Sequence, residues 1–145
     1  MAKTRRFIQC DVFTSTPYRG NALAVVVDGN DLDDAAMARF AAWTNLAETT
    51  FLQTPTDPNA DYRVRIFTPT REMPFAGHPT LGSCAAWLDS GGTPRNPERV
   101  RQQCEIGIVD IELTGDTPAF VAPPTEVRAM ETENFSRIVE RLELD

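Results

Sequence analysis

The sequence predicts an α+β fold, and three observations carry that expectation. Seven short stretches have strand character: residues 7–13, 22–27, 49–52, 61–68, 99–104, 106–113 and 119–122. Three others, 33–44, 80–89 and 134–144, place apolar residues at the 3–4 spacing of a helix. Between them lie short polar, Gly- or Pro-containing segments, so strands and helices are interleaved along one chain. With 145 residues, 41% of them hydrophobic, the chain is long enough for one domain that buries roughly two thirds of its unfolded surface.

Each element has a local reason. Residues 7–13 (FIQCDVF) alternate apolar and polar side chains and end in the turn-rich TSTPYRGN of 14–21. The continuous apolar run ALAVVV at 22–27 is the length of a buried strand. Asp33 has the side chain of a helix N-cap, and Asp34 suits the positive end of the helix dipole. Met37, Phe40, Ala41 and Thr44 then form the inner stripe of a helix running to about Thr44. The strand at 61–68 alternates most cleanly, with Tyr62, Val64, Ile66 and Thr68 on one face and Arg63, Arg65 and Phe67 on the other. Pro79 fits the first turn of a helix over 80–89, whose small and apolar residues predict burial on most sides. Phe135, Ile138, Val139 and Leu142 form one stripe of an amphipathic helix over 134–144.

Charge and cysteine usage narrow the function classes. Lys and Arg total 14 against 21 Asp and Glu, a net charge of −7, and no basic cluster offsets it, so no nucleic-acid partner is expected. No apolar run nears the ~20 residues of a membrane-spanning helix, and the basic first six residues lack the features of a secretory signal, so a membrane role is not expected. Cys10, Cys84 and Cys104 are odd in number and widely spaced, and with one histidine they make neither a disulfide framework nor a standard metal site. A cytoplasmic protein without a standard metal site follows as the expectation.

Two places carry chemistry. In PFAGHPTLG (74–82), glycines, a proline and the sole histidine stand at the mouth of a helix. Helix N-termini have unpaired N–H groups that attract anions, Gly77 permits close approach, and His78 can add a hydrogen bond or charge. The alternative is a tight strand-to-helix turn whose histidine is satisfied by its neighbours. Glu48, at the entrance of an apolar strand, is either a partly desolvated carboxylate tuned for proton transfer or a solvated strand-end residue. Residues 18–21 (YRGN) read as a turn or as a ligand loop, and Arg63 and Arg65 as a solvated or ion-paired strand face. No base is placed beside a cysteine, which argues against a thiol nucleophile.

In series, DVFT (11–14), GNALAVV (20–26), TNLAETTF (44–51), YRVRIFTP (62–69) and PFAGHPTLG (74–82) resemble the PhzF family of phenazine-biosynthesis-like isomerases, relatives of diaminopimelate epimerase. The resemblance implies a diaminopimelate-epimerase-like lobe, a curved mixed or antiparallel sheet rolled around the helix of 80–89. In the family two such lobes enclose the active site. The resemblance further implies that Glu48 is the catalytic acid/base and that Gly77 and His78, with Pro79 and Thr80, hold a small carboxylate substrate. The family's named reaction, isomerisation of dihydro-hydroxyanthranilate, moves a proton between ring carbons without a cofactor. Relatives that racemise amino acids use a cysteine from each lobe, the first aligning with Ala76 here, so two-thiol chemistry is disfavoured. Residues 1–128 are then expected to form the N-terminal lobe and 129–145 a linker and the start of a second lobe, in a chain that stops just past the family's midpoint. A catalytically silent lobe, or a homodimeric ligand-binding module in which two copies mimic the two-lobed cleft, is the alternative expectation.

Overall fold

The computed structural model describes residues 3–143 and has the expected α+β architecture. Its eleven elements are β1 (Phe7–Val12), β2 (Asn21–Val26), α1 (Asp34–Thr44), β3 (Glu48–Gln53), β4 (Tyr62–Phe67), β5 (Glu72–Met73), α2 (Gly77–Asp89), β6 (Arg99–Cys104), β7 (Gly107–Glu112), β8 (Ala119–Phe120) and α3 (Thr132–Leu142). The strands form one mixed sheet in the order β1-β2-β3-β4-β6-β7-β8, with β5 paired to β4. Two pairings are parallel, β2 with β3 and β4 with β6, and the rest antiparallel.

The sheet bends around α2. That helix packs against β1, β2 and β3 and also against β6, strands separated across the sheet, which only a curled sheet permits. Close approach depends on Gly82: a Cβ there would stand 2.5 Å from Leu23 Cδ2 and 2.9 Å from Val12 Cγ2. The resulting core joins Leu23, Val25, Val64, Ile66, Val100 and Ile111 to Cys84 and Ala86 of the helix. On the opposite face α1 covers a smaller core of Val26, Met37, Ala41, Phe51 and Phe67. The alternation of β4 thus feeds both faces, as its sequence predicts, with Arg65 on the outer face bonded to Asp34 of α1 and Glu72 of β5.

Buried polar side chains tie α2 to the sheet. Ser83 Oγ donates to Thr50 Oγ1 over 2.9 Å. Tyr62 Oη donates to Gln102 Oε1 (2.8 Å), Gln102 Nε2 to Thr80 Oγ1 (3.1 Å), and Thr80 Oγ1 to the Ala76 carbonyl (2.9 Å). Every link is satisfied, so this chain from β4 through β6 to the first turn of α2 fixes where that helix begins.

Several boundaries differ from the sequence expectation. Helix α2 starts at Gly77 rather than 80, because Thr80 N–H already bonds the Ala76 carbonyl and Pro79 occupies the first turn, where its missing N–H costs nothing. Phe13 is not strand: its φ of 64° is left-handed, and β1 ends at Val12. Strand β5 was not anticipated, since two residues carry no periodic signal. Asp33 caps α1 as expected, accepting from Ala36 N–H at 2.6 Å. Helix α3 begins at Thr132, two residues earlier than expected, and Leu144 lies outside the described residues. Its Phe135, Ile138 and Leu142 are exposed.

Candidate active site

The register brings the candidate residues to one end of the sheet. Strands β2 and β3 run parallel, with Leu23 beside Glu48, so both strands begin at the same edge. Side chains two apart share a face. Leu23 meets α2 at Gly82, and Thr50 meets it at Ser83, so Asn21 and Glu48 also face α2, nearer its start. There the first turn of α2 supplies Gly77, His78, Pro79 and Thr80.

The structure therefore joins Glu48 and His78, two residues 30 apart in sequence: Glu48 Oε2 lies 3.1 Å from His78 Nδ1. The Glu48 side chain is 19% exposed and that of His78 6%. Asn21 Nδ2 lies 3.3 Å from the same Nδ1. Yet Glu48 Oε2 and His78 Nε2 are both buried without a hydrogen-bond partner, so the neighbours satisfy only one of the two ring nitrogens. Buried polar atoms are nearly always paired, and orphaned ones mark a strained or ligand-binding place.

The helix mouth is prepared in the same way. Ala76, the N-cap residue of α2, has no side chain to accept from the first-turn N–H groups, and no side-chain cap is made. Gly77 faces Phe120, whose Cζ would be 3.1 Å from an added Cβ. Thr80 does not face outward. It is fully buried, and its hydroxyl is spent on Ala76 and Gln102, so it shapes the turn from within. Pro79 is also buried.

Two residues, Phe13 and Gln102, escaped the sequence reading of the site. Phe13, 69% exposed in its left-handed conformation, brings its ring within 6.4 Å of the His78 ring. Gly20 permits this turn, since a Cβ there would lie against the Val12 carbonyl. Gln102 had a readable signal, because alternation in β6 places it inward with Val100 and Cys104. Two roomy grooves lie elsewhere. One, of about 620 Å³, runs between β1 and α1 beside Phe7, Phe40 and Trp43, and the other, of about 590 Å³, is lined by Phe13, Leu81 and Gly82 but not by Glu48 or His78.

The thiols are poorly placed for nucleophilic work. Burial pushes Cys84 up to about 12 and raises Cys10 and Cys104 above the ordinary range. Among the described residues no three His, Cys, Asp or Glu side chains converge on a metal site, and no helix is long and apolar enough to cross a membrane.

Comparison with known proteins identifies the family of the chain. Residues 10–137 match the family model of PhzC-PhzF, phenazine biosynthesis-like protein. The chain is 50% identical over 111 residues to antisense-enhancing sequence 1 of Schizosaccharomyces pombe, covering 76% of this chain and 37% of that protein. It is 37% identical over 137 residues to the trans-2,3-dihydro-3-hydroxyanthranilate isomerase of Pseudomonas aeruginosa, covering 94% of this chain and 48% of the relative. Among solved structures, a PhzF-family phenazine biosynthesis protein from Bacillus anthracis superposes with a TM-score of 0.68 at 32% identity, covering 77% of this chain and 36% of its own. A putative PhzC/PhzF protein from Clostridium difficile gives 0.70 at 25% identity, covering 93% and 51%. The chain thus spans about half or less of the length of these relatives. It belongs to the PhzC-PhzF family of phenazine biosynthesis-like proteins.

Proposed function

We propose that this chain is the N-terminal lobe of a cofactor-independent, PhzF-like isomerase that shifts a proton on a small carboxylate-bearing metabolite. Glu48 is the general acid/base, taking a proton from one carbon and returning it to another. Gly77 and His78 at the mouth of α2, shaped by Pro79 and Thr80, receive the substrate carboxylate on unpaired N–H groups. The observation that carries this reading is the buried, unpartnered pair of atoms, Glu48 Oε2 and His78 Nε2, beside that helix mouth. The exposed ring of Phe13 beside His78 suits a planar substrate. In this reading residues 1–128 are the lobe and 129–145 lead into the family's second lobe. Three free cysteines suit a cytoplasmic setting.

The test uses the protein as its native cell makes it. In D2O, deuterium incorporation into trans-2,3-dihydro-3-hydroxyanthranilate, the compound for which the P. aeruginosa relative is named, measures the proton shift directly. Glu48→Gln should lower it by at least about 10²-fold with folding nearly unchanged. Retained turnover in that variant removes Glu48 from the mechanism.

A second reading has its own support. The apolar stripe of α3 is exposed, with Phe135 at 58% and Leu142 at 62%. A catalytically silent lobe that binds carboxylates and self-associates would use it. Titration with acetate followed by amide NMR separates a binding helix mouth from a plain turn. Shifts confined to residues 77–82 support binding, and silence there favours the turn.

A further inference from the structure

Two side chains compete for one nitrogen. Nδ1 of His78 lies 3.3 Å from the Asn21 amide nitrogen and 3.1 Å from Glu48 Oε2. Only the first contact is a hydrogen bond, for Glu48 Oε2 has no hydrogen-bond partner. A neutral imidazole nitrogen presents either an N–H or a single in-plane lone pair, and an amide nitrogen can only donate. Asn21 therefore needs the lone pair of Nδ1.

We infer that Asn21 is a positioning residue that fixes neutral His78 as its Nε2–H tautomer and so keeps Glu48 from being satisfied by the imidazole. With the proton on Nδ1 instead, His78 would turn that N–H to Glu48, and the carboxylate would be held inside the lobe. With Asn21 donating, Glu48 keeps its lone pairs for a substrate proton. The buried Nε2–H is then a donor without a partner, left for an acceptor oxygen of a bound molecule. Asn21 is well suited to the task. It is the first residue of β2, its backbone is paired with Val12, and its side chain shares the face of Leu23 that meets α2.

The catalytic consequence rests on the reading of Glu48 as the acid/base, whereas the tautomer itself does not. The experiment reads the tautomer without turnover. His78 is the only histidine, so side-chain ¹⁵N signals of the labelled chain belong to it alone. At about pH 8, above the ordinary imidazole pKa of about 6.5, wild-type Nδ1 should resonate in the downfield, lone-pair range and Nε2 in the upfield, N–H range. Asn21→Asp replaces the donor by an acceptor and should exchange the two positions. Asn21→Ala should move Nδ1 upfield by a smaller amount. Glu48→Gln should leave Nδ1 downfield while abolishing isomerisation.

A wild-type Nδ1 already in the N–H range overturns the inference, as does an unmoved Nδ1 in Asn21→Asp. Because Asn21 is exposed, both variants should keep the dispersed amide spectrum of the folded sheet. If Glu48→Gln retains turnover while the tautomer responds to Asn21 as stated, the acid/base role of Glu48 falls and the tautomer assignment stands.

Discussion

Helices α2 and α3 are of similar length, 13 and 11 residues, and their fates are opposite. Helix α2 shows little contrast between its faces and is enclosed by the sheet, with seven residues from His78 to Ala86 buried. Helix α3 has the sharper apolar stripe and buries none of its residues. The strength of an amphipathic pattern reports how one-sided a helix wants its surroundings to be, not whether they are present. Small residues are what admit α2 to the sheet. Gly82, Ser83, Cys84 and Ala86 allow close approach, and Ser83 and Thr80 bond to polar partners already inside.

That contrast is broken most severely at Gly82. Its Cβ position is occupied by Leu23 and Val12 atoms 2.5 and 2.9 Å away, both residues buried in the core. Gly82→Val should cost about 3 kcal/mol, the upper end of overpacking losses, measured as a lower urea midpoint. The matching change on α3, Ser136→Val, should stay within about 0.5 kcal/mol, as surface substitutions do. Equal effects would mean that α2 is not the enclosed element.

Next in size is Tyr62→Phe. Buried Gln102 Oε1 would lose its donor, at a cost of about 1–3 kcal/mol. Because Gln102 also holds Thr80, amide shifts should reach the first turn of α2. Loss of stability with no change at residues 77–80 would show that the hydrogen-bond chain does not govern the helix mouth.

How far sequence alone reached follows from the same contrast. Periodicity was enough for the long strands and for α1, whose cap and inner stripe are local features. It did not reach Phe13, whose left-handed backbone is imposed by a turn closing on Gly20, nor the three-residue offset at the start of α2. Glu48 and His78 each had an ordinary explanation in isolation. Their meeting at 3.1 Å depends on the parallel pairing of β2 with β3 and on α2 crossing both, which no local pattern encodes. Asn21 was legible only as part of a turn or a ligand loop, with no sign of its role, because its partner stands 57 positions away.

A weaker contrast sets the N-terminal ion cluster against the pair near α3. Arg5 and Lys3 hold the Asp31 carboxyl well below the usual range, Arg5 contributing most, and Lys3 lowers that of Asp28. These bonds join the segment before β1 to the loop after β2. A depressed folded pKa stabilises above the unfolded value, about 3.9, and the contribution is lost as pH falls below it. The urea midpoint should therefore drop progressively below about pH 4, and Asp31→Asn should blunt that drop. The Arg128–Glu126 pair links neighbours two apart in an exposed segment, so Glu126→Gln should leave the acid profile unchanged.

The smallest expected effect is also the sharpest statement about α3. Phe135 and Leu142 are exposed, so replacing both by Ser removes no buried contact within the chain. Stability of the sheet lobe, followed by the fluorescence of Trp87, which stacks on Tyr62 at 5.3 Å, should change by less than about 0.5 kcal/mol. The helix itself should lose signal in far-ultraviolet circular dichroism only if its stripe is covered in solution, because an isolated 11-residue helix is marginal in water. An unchanged lobe with lost helix signal means that something other than this lobe covers the stripe. A destabilised lobe means that α3 folds back onto the sheet, and the contrast between the two helices disappears.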